Sequence, residues 1–390
     1  MVCCVEASTG GGGSDRVSVA ARHSNDDRSV LVTWLGSRVA VALLAFASAW
    51  MIADAATGHV PSWLGSWDRW DAQLFTKVAR FGYDGYPQHY PDKDIVAFFP
   101  GEPLVLRAVH VVVRNWVASG LLVSAVAGAF AVLALGRLAA AEGGREVGRR
   151  AALYLSLSPY AVFLAAGYSE ALFLAFALWS WVFGKQRRWV AAGVLGGAAS
   201  LVRVTGLFLG AGLVVEWLLD RHGRRWLDLL PLTLPFVSVG GYFVYLHGLT
   251  GDWLAWSHAQ ADGWGRHFTT PWHALRTTWD SATGVATGNA YTWSFRAEIA
   301  AVFIGLVLSV ALLVLRRWSE LVYVGTQVVA LATSSFYLSV ARATLLWFPL
   351  WVLLAKLGTE RRSVHAAYLA CAPALMAVAV IAFVQGHWVG

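Results

Sequence analysis

The chain is a succession of apolar runs separated by short polar connections, and a run of roughly 20 apolar residues is enough to cross a bilayer as a helix. Read on that basis, the pattern predicts about eleven spans, beginning near Val39, Ser119, Ala151, Tyr168, Trp189, Val204, Leu229, Ala297, Leu321, Ala343 and Ala366. The expected fold class is therefore an all-α polytopic membrane protein. Residues 1–36, Gly/Ser-rich between Gly10 and Ser14, read as a disordered cytoplasmic tail, and residues 37–390 as one transmembrane domain. Two connections are long, at 58–118 and 249–296.

Lys and Arg orient the spans. They cluster in the tail (Arg16, Arg22, Arg28, Arg38) and in every second connection: Arg145, Arg149 and Arg150; Lys185, Arg187 and Arg188; Arg221, Arg224 and Arg225; Arg316 and Arg317; Lys356, Arg361 and Arg362. The positive-inside rule then places the N-terminus in the cytoplasm and the C-terminus outside. Both long connections fall on the non-cytoplasmic side, together with tight turns at Ser169-Glu170, Arg203 and Arg342. Five ionisable groups, Asp68, Asp71, Glu170, Arg203 and Arg342, are expected to converge on that face.

Composition agrees: 57% hydrophobic and 14% charged residues, against roughly 45–50% and 25% in soluble domains, with a mean hydropathy of +0.56. The net charge of +7 is assigned to topology rather than to nucleic acid. The 21 Trp suit membrane interfaces, where an apolar ring and one N–H donor both find partners. Cys3, Cys4 and Cys371 have no metal-binding spacing.

Residues 67–81, WDRWDAQLFTKVARF, place Trp67, Trp70, Leu74, Val78 and Phe81 on one stripe at about 100° per residue. This predicts a helix lying in the interface plane, with Asp71 at the edge of its apolar stripe and facing the lipid boundary. Partial desolvation strengthens the proton affinity of a carboxylate, which suits a general base. Asp68 serves equally as a helix cap or as a site residue. Downstream, Phe98-Phe99-Pro100-Gly101-Glu102-Pro103 reads as a rigid turn in which Glu102 caps the next helix. Glu170, between two apolar segments, needs a partner, and Arg203 or Arg342 would supply one. The two arginines also suit a phosphate, because a guanidinium keeps its charge when desolvated and forks onto phosphate oxygens. His258, His267 and His273 match no metal set; His258 and His267 are candidates for an acceptor site.

Three stretches carry a resemblance. They are Arg69-Trp70-Asp71-Ala72 with Phe75, Ala79, Gly82-Tyr83 and Phe98-Phe99-Pro100; Leu157-Ser158-Pro159 through Gly167-Tyr168-Ser169-Glu170-Ala171-Leu172-Phe173; and Val202-Arg203 with Gly206-Leu207. Through them the chain resembles the PIG-V mannosyltransferases of the GT-C membrane glycosyltransferases. The second half is similar only in hydropathy, apart from Arg342 before Phe348-Pro349. The resemblance implies a GT-C fold and mannose transfer from a polyprenyl-phosphate-linked donor, on the non-cytoplasmic face, to a lipid-linked or cell-envelope glycan. It matches Asp71 and Glu170 to acidic positions of the family; with the reading of the residues above, the expected catalytic set is Asp71, Asp68 and Glu170, with the donor phosphate on Arg203 and Arg342. Acceptor contacts are expected at Trp70, Tyr168, Trp264 and His258. The expected partners are that donor, a glycolipid or glycan acceptor and membrane lipids, with no nucleic acid. No cofactor is required, although a divalent metal beside Asp68, Asp71 and Glu170 is conceivable. The expected location is a bacterial plasma membrane, or the endoplasmic reticulum of a eukaryote. The competing class is a lipid or sugar transporter or flippase, which predicts ionisable groups at mid-bilayer and repeated halves; no repeat is evident.

Overall fold

The computed structural model describes residues 12–52, 62–83, 93–220, 225–286 and 291–390. Among them the chain is helical, with a single isolated β-bridge, Phe268 to Ser334. In chain order the helices are α1 (Gly12–Met51), α2 (Asp71–Phe81), α3 (Gly101–Val113), α4 (Trp116–Gly143), α5 (Arg145–Ser156), α6 (Ser169–Lys185), α7 (Trp189–Val202) and α8 (Gly206–Leu219). They continue with α9 (Leu234–Thr250), α10 (Ala255–Trp264), α11 (Pro271–Ala282), α12 (Thr292–Val314), α13 (Trp318–Ala332), α14 (Val340–Ala343), α15 (Phe348–Glu360) and α16 (Arg362–Val384). Ten of the eleven expected span starts fall on or within two residues of one of these helices; the other, Leu229, ends a 3-10 turn, Trp226–Leu229, ahead of α9.

Five of the described segments are long and apolar enough to cross a membrane: Asp26–Met51, Trp116–Gly143, Trp226–Thr250, Thr292–Val314 and Arg362–Val384. A sixth is formed if Val340–Leu346 and Phe348–Glu360, bent by 74°, make one broken span. The outward faces suit lipid: Val32, Leu35, Leu43 and Phe46 on α1, and Phe303, Val307 and Val310 on α12, are all exposed. Trp34, Trp67, Trp181, Trp189, Trp217, Trp347 and Trp351 are instead buried, so a substantial minority of the tryptophans belong to the core.

Three local expectations change. First, α1 begins inside the stretch read as a tail. Val30, Trp34, Ser37 and Val41 form a buried stripe, and Trp34 Nε1 donates to Ala125 O at 3.0 Å, which ties this part of the chain to α4. The tail residues before Gly12, Cys3 and Cys4 included, lie outside the described residues. Second, the apolar run from Ala151 is not one helix. It breaks after Ser156 at Ser158-Pro159 and continues as a 3-10 turn, Ala161–Leu164, because proline has no N–H to donate and restricts the residue before it. Third, the helix expected over 67–81 starts only at Asp71, after a 3-10 turn at Gly65–Trp67. Trp70 sits at φ 44°, ψ −116° and interrupts the register. The buried face is therefore Ala72, Phe75, Val78 and Ala79, while Phe81 is exposed. Phe75 packs edge-on against Phe98 at 4.9 Å.

Charge is separated along the bundle. Glu142 at the end of α4 pairs with Arg317 at 2.6 Å and Lys356 at 2.7 Å, and Lys185 at the end of α6 pairs with Glu216 at 2.9 Å. At their opposite ends α4 and α6 converge through glycine. A Cβ on Gly120 would stand 3.0 Å from Gly167 Cα, and one on Gly167 would stand 3.2 Å from Gly120 Cα. That close approach sets the height of Ser169 and Glu170, which open α6.

Glu102 is not the cap expected of it. It lies in the first turn of α3 but is fully buried, and neither carboxylate oxygen has a hydrogen-bond partner among the described residues. Burial, helped by the nearby charge of Glu170, pushes its carboxyl up to about 8. The folded protein therefore holds a proton there that the unfolded chain, near 4.5, releases. Stability from this group is complete below pH 4.5 and is lost as pH rises toward 8, after which the loss levels off. Glu102→Gln, which keeps a neutral side chain of the same shape, should flatten that decline. Thermal unfolding of the detergent-solubilised pair between pH 5 and 9 measures it, and parallel curves would remove Glu102 as its source.

Candidate active site

The four segments that carry the ionisable turns meet at one end of the bundle. Glu170 enters from the first turn of α6, Arg203 from the residue after α7, Arg342 from the short helix α14, and Asp71 from the first position of α2. Arg203 Nη1 donates to Glu170 Oε1 at 2.7 Å and to Ser169 Oγ at 2.7 Å. Arg342 Nη1 donates to Asp71 Oδ2 at 2.9 Å. Its Nε stands 2.9 Å from Glu170 Oε1, an ion-pair contact whose direction does not make a hydrogen bond. One carboxylate oxygen thus serves two guanidiniums, and Arg342 bridges both acids. Glu170 is fully buried, and its Oε2 has no hydrogen-bond partner among the described residues. Asp71 at the first helical position also meets the positive end of the α2 dipole.

The ring faces of Phe163 and Tyr168 lie 5.1 and 5.3 Å from the Arg342 guanidinium carbon, a cation–π arrangement that holds its plane. Tyr168 donates to Arg69 O at 3.3 Å; burial and the charge of Asp71 push its hydroxyl well up, so it stays protonated. Arg342 is also held through its backbone. Ser339 precedes α14 in the left-handed region at φ 59°. The buried Glu298 carboxylate of α12 takes the amides around it: Ser339 N donates to Oε1 at 2.8 Å, and Val340 N and Ala341 N donate to Oε2 at 2.6 and 3.0 Å. Three donors at a helix start are thereby satisfied by one side chain.

These groups line a cavity of about 760 Å³. One part of its wall is charged, with Asp71, Arg203, Arg266 and Arg342; another is aromatic, with Phe98, Phe99, Phe208, Trp256 and Trp264. Of the expected acceptor residues, Trp70, Tyr168 and Trp264 line it. His258 does not: it pairs with Asp252 at 2.7 Å on an exposed surface, whereas His267 does line the cavity. Asp68 also lies off the wall. It ends the 3-10 turn as its C-cap and does not cap the start of α2, where Trp70 stands; burial pushes its carboxyl up against the opposing charges of Arg69 and Lys77. Asp71 faces the cavity and Arg342 rather than the lipid boundary. Among the described residues no three His, Cys, Asp or Glu side chains gather where they could hold a metal ion.

Two residues of this end are not among those expected from the sequence, Arg266 and Glu298. Arg266 lies in a loop that follows α10 and donates through Nη2 to Leu338 O at 2.7 Å. A charged residue in a loop of mixed polarity gives no signal, whereas Glu298 inside the apolar run of α12 did offer one, an acid at membrane depth.

Known proteins share part of this sequence. Residues 35–221 match the family described as Mannosyltransferase (PIG-V), a stretch that contains Asp71, Glu170 and Arg203. The chain is 38% identical over 168 residues to GPI alpha-1,6-mannosyltransferase 2 of Rattus norvegicus, covering 38% of this chain and 31% of that protein. It is 39% identical over 158 residues to the Mus musculus protein of the same name, covering 37% of this chain and 30% of that one. The match thus spans about a third of the length of these relatives. Among solved structures, ArnT from Cupriavidus metallidurans bound to undecaprenyl phosphate is similar at TM-score 0.46 and 17% identity, over 90% of this chain and 63% of that one. The Archaeoglobus fulgidus oligosaccharyltransferase in its apo form is similar at TM-score 0.46 and 13% identity, over 92% of this chain and 56% of that one. The family match falls on three of the four residues that build the ion-pair chain, and over residues 35–221, just under half of its length, this chain is similar to the PIG-V mannosyltransferases.

Proposed function

We propose that the protein is a glycosyltransferase that moves mannose from a polyprenyl-phosphate-linked donor to a lipid-linked or cell-envelope glycan acceptor on the non-cytoplasmic face, with inversion. The observation that carries this reading is the placement of Asp71 on the wall of an aromatic-lined cavity, with Oδ2 held by Arg342. That contact engages Oδ2; on this reading Oδ1 takes the substrate hydroxyl. Mannose as the sugar follows the family and the names of the relatives. Because the match spans only part of those relatives, their acceptor is not carried over.

In the reaction, Asp71 Oδ1 takes the proton of the acceptor hydroxyl. That oxygen attacks the anomeric carbon from the face opposite the phosphate, through an oxocarbenium-like transition state of the kind met in glycoside hydrolysis. The anomeric C–O bond breaks, and its electron pair leaves with the lipid phosphate. Arg203 and Arg342 stand beside the developing charge, already oriented by Glu170 and Asp71, so they need no reorganisation at that moment. The aromatic wall offers ring faces to sugars and an apolar lining to the lipid chain. The separation of the ionisable groups to one end of the bundle favours this reading over a transporter, whose ion and substrate groups lie at the bilayer midplane.

Asp71→Asn should lower turnover by about 10²–10⁴-fold, the usual contribution of a positioned base, while the protein still assembles. Mannose transfer from synthetic polyprenyl-phosphate mannose, measured on purified wild type and variant, checks this; equal turnover would remove Asp71 from the mechanism. Glu298→Gln keeps the size of the side chain but weakens its hold on the 339–341 amides. It should reduce turnover by about 10-fold or more by loosening Arg342, on the scale of one hydrogen bond to a charged group. Unchanged kcat in a variant of unchanged melting temperature would show that Arg342 is held without it.

A further inference from the structure

We infer that Arg266 is the residue that receives the phosphate of a lipid-linked substrate, making a distinct anion subsite on the cavity wall between the second long connection and α14. The inference rests on the transfer reading and adds a third arginine to it, one that holds the donor phosphate from binding onward while Arg203 and Arg342 meet the charge that develops on it. Three guanidiniums, Arg203, Arg266 and Arg342, line the one cavity. Two of them are matched: Arg203 by Glu170, and Arg342 by Glu170 and Asp71. A phosphate arriving at either must compete with a carboxylate already in place.

Arg266 is different. Among the described residues it forms no ion pair, and its recorded hydrogen bond is the one to the Leu338 carbonyl at 2.7 Å. Guanidinium has five N–H donors in a fixed fork, so that contact leaves most of them for a ligand. The carboxylate nearest in function, Glu298, is occupied by three backbone amides. The charges of Glu298 and Asp71 reach Arg266, but Glu298 spends its oxygens on those amides and Asp71 is paired with Arg342, so among the described residues no carboxylate is hydrogen-bonded or ion-paired to this guanidinium. Burial and the like charge of Arg342 push the Arg266 guanidinium down to about 10, a destabilisation that an incoming anion relieves.

The chemistry suits a phosphodiester becoming a phosphomonoester. The donor carries one negative charge on two non-bridging oxygens. When the anomeric C–O bond breaks, its electron pair stays on the phosphate oxygen and the charge there increases. A fork that already holds the two non-bridging oxygens then binds the departing group more tightly than it bound the donor, which is the condition for accelerating the step.

The test is binding and transfer on purified full-length protein. The binding probe is a fluorescent polyprenyl phosphate, with Arg266→Gln compared with wild type and with Arg276→Gln, an exposed arginine of α11. Arg266→Gln should weaken polyprenyl phosphate binding by about tenfold or more, the loss of one charged hydrogen bond, and raise the donor KM in parallel. Arg276→Gln should change neither. Because Arg266 also holds Leu338, Arg266→Lys is run beside it: a point charge should preserve folding and weaken binding less. Equal binding by wild type and a folded Arg266→Gln would overturn the subsite, and would leave the transfer reading standing if mannose is still transferred. Wild-type binding that depends on Arg266 without any mannose transfer would keep the subsite and overturn the transfer reading. Displacement of the probe by inorganic phosphate as effectively as by unlabelled polyprenyl phosphate would overturn the lipid-linked assignment.

Discussion

The ion-pair chain Arg203–Glu170–Arg342–Asp71 is the contact on which this end of the molecule depends. Its members come from four segments far apart in sequence, and each sits where a helix starts or ends. Charges taken out of water are costly and persist only when paired with good geometry; breaking such a pair from one side costs about 3–5 kcal/mol because the other charge is left behind. Glu170 has no access to water at all. Its two arginines therefore do more than assist it: with either one gone, the turns after α7 and before α15 lose the reason for being where they are. The same condition fixes the depth of α2, since Asp71 can reach Arg342 only if its helix starts there.

Backbone conformation points to an arrangement imposed by the whole fold. Trp70, directly before Asp71, and Ser339, three residues before Arg342, both have positive φ. Non-glycine residues there carry of order 1–3 kcal/mol of strain each and keep it only when their surroundings over-determine them. For Ser339 the surroundings are visible: the Glu298 carboxylate takes three consecutive amides, and Arg266 takes the carbonyl just before them. For Trp70 they are aromatic, with the ring edge-on to Phe383 at 5.4 Å. Strain flanks the two ends of one ion pair, so the Asp71–Arg342 contact is held from both sides.

The helices were legible because hydropathy reports what must leave water, and their ends were legible because ionisable residues stand out against apolar runs. Asp71, Glu170, Arg203 and Arg342 were all found in that way. What stayed hidden depends on geometry that no pattern encodes. The break at Ser158-Pro159 turned an expected span into two short pieces, and the positive φ of Trp70 moved the start of α2 by a turn, which put Phe75 rather than Phe81 against the core. Arg266 looked like any cation in a polar loop until the fold brought it to the cavity. Conversely His258 was a reasonable candidate by loop and residue type, yet the nearest acid, Asp252, lies close by in the same connection and takes it.

On the proposed reading, the site has to solve a conflict. A base must accept a proton beside cations that await an anionic leaving group, and if those cations all fell on the base they would compete with the substrate hydroxyl for it. Glu170 resolves the conflict. It gathers both arginines onto a single oxygen, Oε1, and so lets two guanidiniums stand close together without leaving the field of one of them bare. Asp71 is then touched by one arginine through Oδ2, and on this reading Oδ1 is the oxygen that meets the acceptor hydroxyl. The division of labour predicts that the two acids differ in kind: Asp71 is the acid a substrate meets, and Glu170 is the acid that makes the arginines compatible with it. That is why the acid with no route to water, rather than the one on the wall, sits at the centre of the charge network.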